Sequence, residues 1–97
     1  MLPETIERGL LRHEAVSAAA VVGVPDRRLG QVPGAAIQFN PSVQPTSLEE
    51  LQAHLRQHVP ATHIPVHWRF VENLPRTPSM KVDRRAVARL FDETQPA

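Results

Sequence analysis

Apolar residues at the start of the chain recur at helical spacing. Ile6 and Leu10 stand four apart, Leu11 widens their stripe, and Glu4 and Glu7 sit in the first turn. Residues three and four apart share one face of a helix. Pro3 suits the first helical position, where no N–H is needed, and acidic residues there favour the helix dipole. A helix is predicted over about residues 3–12. The pattern then changes. Residues 15–24, Ala-Val-Ser-Ala-Ala-Ala-Val-Val-Gly-Val, are a continuous run of small, mostly apolar residues. Alanine alone permits a helix, but a short run ending in valines before Pro25-Asp26 favours a strand buried on both faces. Pro25 to Gln31 reads as a charged turn closed by Gly30. Ala35, Ile37 and Phe39 alternate with Ala36 and Gln38, so residues 32–39 read as a second strand, antiparallel to the first. Pro33 has no N–H, which places it at a strand start or a sheet edge.

The second half repeats the alternation of periods. Asn40 to Thr46, with Pro41 and Pro45, reads as a loop. Ser47-Leu48-Glu49-Glu50 matches a capping box, with Ser47 as N-cap and Glu50 reaching back. Leu48, Leu51 and Leu55 form one stripe, and this helix should run to about His58 before Pro60 stops it. Val66 to Val71 alternates as a third strand, with Val66, Trp68 and Phe70 predicted to point inward. Leu74 to Val82, with Pro75 and Pro78, reads as a loop without regular structure. Asp83 should cap a last helix buried through Val87, Leu90 and Phe91, and residues 92–97 read as a frayed tail. The predicted fold class is α+β: a single domain over residues 1–97, with a small three-stranded sheet flanked by helices.

Composition narrows the function. A chain of 97 residues supports one modest core and leaves little room for a large self-contained active site. The absence of cysteine excludes disulfides, thiolate metal sites and cysteine nucleophiles. No apolar run approaches the roughly 20 residues of a membrane span. Met1-Leu2-Pro3-Glu4 lacks the pattern of a signal peptide, so a cytoplasmic location is expected. A net charge of +1 and four aromatic residues, Trp68 and three Phe, offer nucleic acid neither a strong field nor a stacking platform.

Four groups of residues are candidates for chemistry. His54 and His58 lie four apart, as do His63 and His67, a spacing that can bind zinc. No third ligand is in view, and Leu55 stands where a metalloprotease would need its glutamate, so solvated histidines are expected and no metal site. Arg76, Lys81, Arg84, Arg85 and Arg89 give a local basic excess that could meet phosphates or simply coat a solvated helix. Asp26-Arg27-Arg28 reads as a charged turn. Lys81 stands apart: it is the single lysine beside ten arginines. An ammonium is a compact point charge that the flat guanidinium fork does not replace.

Four blocks in order resemble one family. Pro3-Glu4-Thr5-Ile6-Glu7 with Leu10 and His13, Ala19 to Asp26 followed by Gly30, Leu48 to Leu51 with Leu55-Arg56, and Leu74-Pro75-Arg76-Thr77-Pro78-Ser79-Met80-Lys81-Val82-Asp83-Arg84 are similar to stretches of the small C-terminal domain of adenylate-forming enzymes. These are the acyl- and aryl-CoA synthetases, luciferases and nonribosomal peptide adenylation domains. The resemblance implies a mobile lid on a much larger N-terminal adenylation domain. It implies that Lys81 is catalytic in ATP-dependent adenylation of a carboxylic acid, and that another face serves the following attack by a thiol of CoA or of an acyl carrier protein. ATP with Mg, and CoA, would be held mostly by the large domain; none is expected bound to these residues, and the chain alone is expected to be inactive. The resemblance leaves open whether the chain is an excised domain or a separate half. Met80 stands where the family has glycine, and Gln31 where an acidic residue often follows Gly30. Methionine disfavours the positive φ that glycine allows, so the resemblance leaves open whether this loop supports the adenylation step. Two other functions compete: a non-catalytic interaction module of the same fold that binds a carrier protein or partner synthetase, and, more weakly, nucleic-acid binding through the Arg76 to Arg89 patch.

Overall fold

A computed structural model describes residues 3–28, 30–44 and 46–92, without the side chain of Asp92. Helix α1 (Pro3–Leu11) leads into strands β1 (Val16–Asp26) and β2 (Gly30–Phe39). Helix α2 (Leu48–Arg56), a single 3-10 turn at Ala61–His63, strand β3 (His67–Val71) and helix α3 (Arg84–Asp92) follow. The α+β class and three-stranded sheet match the sequence expectation, with β2 in the centre of the order β1-β2-β3. β1 and β2 pair antiparallel, from Val16↔Phe39 to Asp26↔Gly30. Gly30 adopts φ +81 where the hairpin closes, a conformation that glycine reaches without steric cost. β3 runs parallel to β2, from Gly34↔His67 to Gln38↔Val71. A parallel neighbour cannot be reached by a tight turn, and α2 lies in the connection. Pro33 sits within the central strand, and its carbonyl accepts the Val66 N–H where β3 begins. Its missing N–H therefore falls on the β3 side, just ahead of the first β2–β3 pair.

Successive residues of the hairpin serve opposite cores. Val16, Val21, Ala35 and Ile37 pack beneath Ile6 and Leu10 of α1 and Leu51 and Leu55 of α2. Ala20, Val22, Val24, Val32 and Ala36 pack beneath Leu74 and the α3 residues Val87 and Phe91. Full burial of one such aliphatic side chain stabilises by about 1.5–3 kcal/mol. The strand buried on both faces is thus a plain consequence of the two-residue period.

At several points the depth differs from expectation. Val66 precedes β3 and is 60% exposed, and Phe70 is 43% exposed; only Trp68 of the three packs against the core. The alternation assigned the correct face, but β3 is an edge strand whose Val66 and Phe70 stay exposed. Phe70 instead stacks on Phe39, ring centroids 5.1 Å apart. Leu11 and Leu48 are likewise exposed at the rims of their stripes. Ser47 caps α2 by accepting the Glu50 N–H at 3.1 Å, whereas the Glu50 carboxylate accepts the hydroxyl of Thr46. Of the predicted frayed tail, Asp92 closes α3, and residues 93–97 lie outside the described residues.

Gly34 lets α3 approach the hairpin. A Cβ there would lie 2.5 Å from Val24 Cγ2 and 3.1 Å from Phe91 Cε1. Valine is stiff at χ1, so the overlap cannot be relieved by a rotamer. Gly34→Ala should destabilise the chain by about 1–3 kcal/mol. An unchanged urea midpoint would contradict this packing.

Candidate functional site

The segment expected to be irregular is an ordered hairpin. Its entry is fixed by Leu74, which is buried and whose N–H donates to Gln38 Oε1 on β2 at 2.9 Å. Arg76 and Val82 form an antiparallel bridge, and the Asp83 N–H donates to the Pro75 carbonyl at 2.9 Å. The Thr77 N–H donates to the Lys81 carbonyl at 2.7 Å, and the Met80 N–H to the Thr77 carbonyl at 2.8 Å. Pro78 and Ser79 occupy the corner, with the Thr77 and Ser79 hydroxyls 3.0 Å apart. A turn followed by one left-handed residue is a common way to close such a hairpin. That left-handed residue is Met80, at φ 69. Methionine here adopts the conformation in which glycine would be unstrained.

Lys81 follows at the tip and is exposed. Among the described residues no hydrogen bond or ion pair engages its ammonium. The chain beyond it is held again: Asp83 Oδ1 accepts the Ala86 N–H at 3.1 Å and caps α3 as predicted. The basic patch is less free than its sequence suggests. Arg76 Nη1 donates to the Met80 carbonyl at 3.3 Å, and Arg84 Nη1 lies 2.9 Å from Glu7 Oε2. Glu7 does more than favour the dipole of α1: it lies three residues from Leu10, beside the buried stripe, and its side chain is 13% exposed.

A family model described as the AMP-binding enzyme C-terminal domain matches residues 5–81. The chain belongs to that family. In this AMP-binding enzyme C-terminal domain, Lys81 is the last residue of the matched span. The chain is 41% identical over 91 residues to the Mycobacterium tuberculosis protein named "Probable 2-succinylbenzoate--CoA ligase", covering 94% of this chain and 24% of that one. A Brucella canis acyl-CoA synthetase superposes with TM-score 0.84 at 36% identity, over 97% of this chain and 18% of that one. An amide bond synthetase from Marinactinospora thermotolerans superposes with TM-score 0.86 at 36% identity, over 94% of this chain and 18% of that one. This C-terminal domain thus spans at most about a quarter of these relatives.

The histidines of the domain divide by helix. His54 joins α2 to α1: its Nε2 lies 2.9 Å from the Gly9 carbonyl, and its ring meets His13 edge-on at 5.1 Å. His58 lies 4.8 Å from His54, while His63 and His67 belong to the 3-10 turn and β3. Among the described residues no group of three or more His, Cys, Asp or Glu could hold a metal ion. Nor is any helix among them long and apolar enough to cross a membrane.

Two expectations follow. A left-handed conformation costs a residue with a Cβ roughly 1–2 kcal/mol, partly offset by glycine's greater freedom in the unfolded chain. Met80→Gly should therefore stabilise the domain by about 0.5–1 kcal/mol in denaturant titration; a loss of stability would mean that the side chain compensates. His58 is held below its ordinary value of 6.5 by partial desolvation, then by His54 and Arg12. The unfolded chain thus takes up this proton more readily, and stability falls as pH drops through 6.5 towards the lower folded value. His58→Gln should reduce the fall in Tm between about pH 7.5 and about pH 5.5; an identical fall would remove His58 as a source of the pH dependence.

Proposed function

We propose that this domain is the mobile C-terminal lid of an acyl- or aryl-CoA ligase, acting as a single unit against a large N-terminal adenylation domain, with Lys81 as its catalytic residue. One observation carries the reading. The chain's one side-chain primary amine stands exposed, without a partner among the described residues, on a turn whose backbone is hydrogen-bonded around it. The likeness to a CoA ligase over 94% of this chain supports the reaction class.

In adenylation a carboxylate oxygen attacks the α-phosphorus of ATP, the bond to the β-phosphate bridge breaks, and pyrophosphate departs. Negative charge gathers on the phosphate oxygens as this proceeds. An ammonium carried into a water-poor cleft stabilises that charge far more than it would in bulk water. Lys81 needs no partner within its own domain for this role, since its counter-charge is the substrate. Magnesium, held by the large domain, would neutralise phosphate charge beside it. The lid would then reorient and leave the adenylate open to the thiol of CoA or of a carrier protein, a step on the scale of domain closure.

The test is to join this chain to its adenylation domain and to follow pyrophosphate exchange. Lys81→Ala should lower the adenylation rate by about 10²–10³-fold, the usual loss of one preorganised charge. An unchanged rate would exclude Lys81 from the chemistry and favour the interaction module that binds a carrier protein or partner synthetase.

A further inference from the structure

β1 is an edge strand, and the N–H and C=O of Val21 point away from β2. Both are met by side chains from opposite sides of the sheet. Glu7 of α1 accepts the Val21 N–H through Oε2 at 2.7 Å. Arg84, the first residue of α3, donates from Nη1 to the Val21 carbonyl at 2.9 Å. The two side chains also bind each other, Nη2 to Oε1 at 3.0 Å and Nη1 to Oε2 at 2.9 Å. The result is a closed ring of charge-assisted bonds, the strong kind, that ties both helical layers to one residue of β1.

We infer that the Glu7–Arg84 pair is a positioning clasp for the Lys81 hairpin, an inference that rests on the role proposed above for that lysine. Arg84 lies three residues beyond Lys81. The intervening Val82 is bridged to Arg76, and Asp83 is bonded to Pro75 while capping α3. The hairpin base therefore moves with the first turn of α3, and the clasp fixes that turn. A point charge displaced by about 1 Å from a reacting centre can lose about 10²-fold in rate. An ammonium at position 84 could not form the whole ring, because only the guanidinium fork reaches the carbonyl and both carboxylate oxygens at once.

The decisive measurement is hydrogen exchange on the protein joined to its adenylation domain. In Arg84→Ala and in Glu7→Gln, the amides of Thr77 and Met80 should exchange about tenfold faster, while the amides of α2 keep their rates. Arg84→Lys should fall between the parent and Arg84→Ala. With whichever of acetate, octanoate or benzoate the parent adenylates, both variants should lower kcat for pyrophosphate exchange about tenfold or more, at unchanged KM for ATP. Thioester formation from the supplied acyl-adenylate should stay near the parent rate. Unchanged exchange at the hairpin, faster exchange throughout the domain, or equal losses in both half-reactions would each overturn the clasp. Lys81→Ala, run in parallel, separates the two readings. If it leaves adenylation intact, the role of Lys81 falls; if it abolishes adenylation while Arg84→Ala does not affect it, the clasp alone falls.

Discussion

Two strands must be covered on both faces by three helices of nine residues each. That constraint governs the rest of the domain. Because side chains alternate along β1 and β2, every second residue needs a cover from the opposite side. α1 and α2 supply one side and α3 with Leu74 the other. Small residues on the hairpin, Ala20, Ala35, Ala36 and Gly34, let short helices reach the sheet. The stretch from Leu74 to Asp83 is the chain's passage from the sheet to α3; the bond from Leu74 to Gln38 anchors it to β2, and the bond from Asp83 to Pro75 closes it on itself.

Local periodicity made much of this legible. The three helices and the Ser47 and Asp83 caps follow from short-range spacing, where the interacting groups are at most a few residues apart, and the hairpin follows from two alternating runs joined by a short turn. The depth of β3 was not legible, because alternation gives the face of Phe70 and says nothing about whether a helix extends over it. Its parallel pairing was equally hidden. The hairpin at residues 76–82 escaped because two prolines and polar residues look alike in a loop and in a closed turn. Glu7 and Arg84 are 77 residues apart, and their meeting depends on the finished fold. The one trace in the sequence is a carboxylate placed beside the apolar stripe of α1.

Lys81 shows how the levels combine. Its singularity among the basic residues was visible in the composition, and its place within a family signature was visible as a resemblance. The turn that holds it, with Met80 in a left-handed conformation, required the structure. Loop geometry here is enforced by the bonds of Thr77, Met80 and Asp83 to the backbone, so it does not depend on the permissiveness of glycine at one site.

The clasp around Val21 has a topological side. It joins the first helix of the chain to the last, and so acts as a non-covalent cross-link between the two ends. Loop-closure entropy rises only slowly with length, so a contact across 77 residues is cheap once the core has brought the helices together. The dependence also runs in reverse. A chain cut back before Arg84 loses a cation from one end and leaves the Val21 carbonyl without its donor at the margin of the sheet. An open margin is a template for another strand. The integrity of the last helix thus guards a strand near the beginning against self-association.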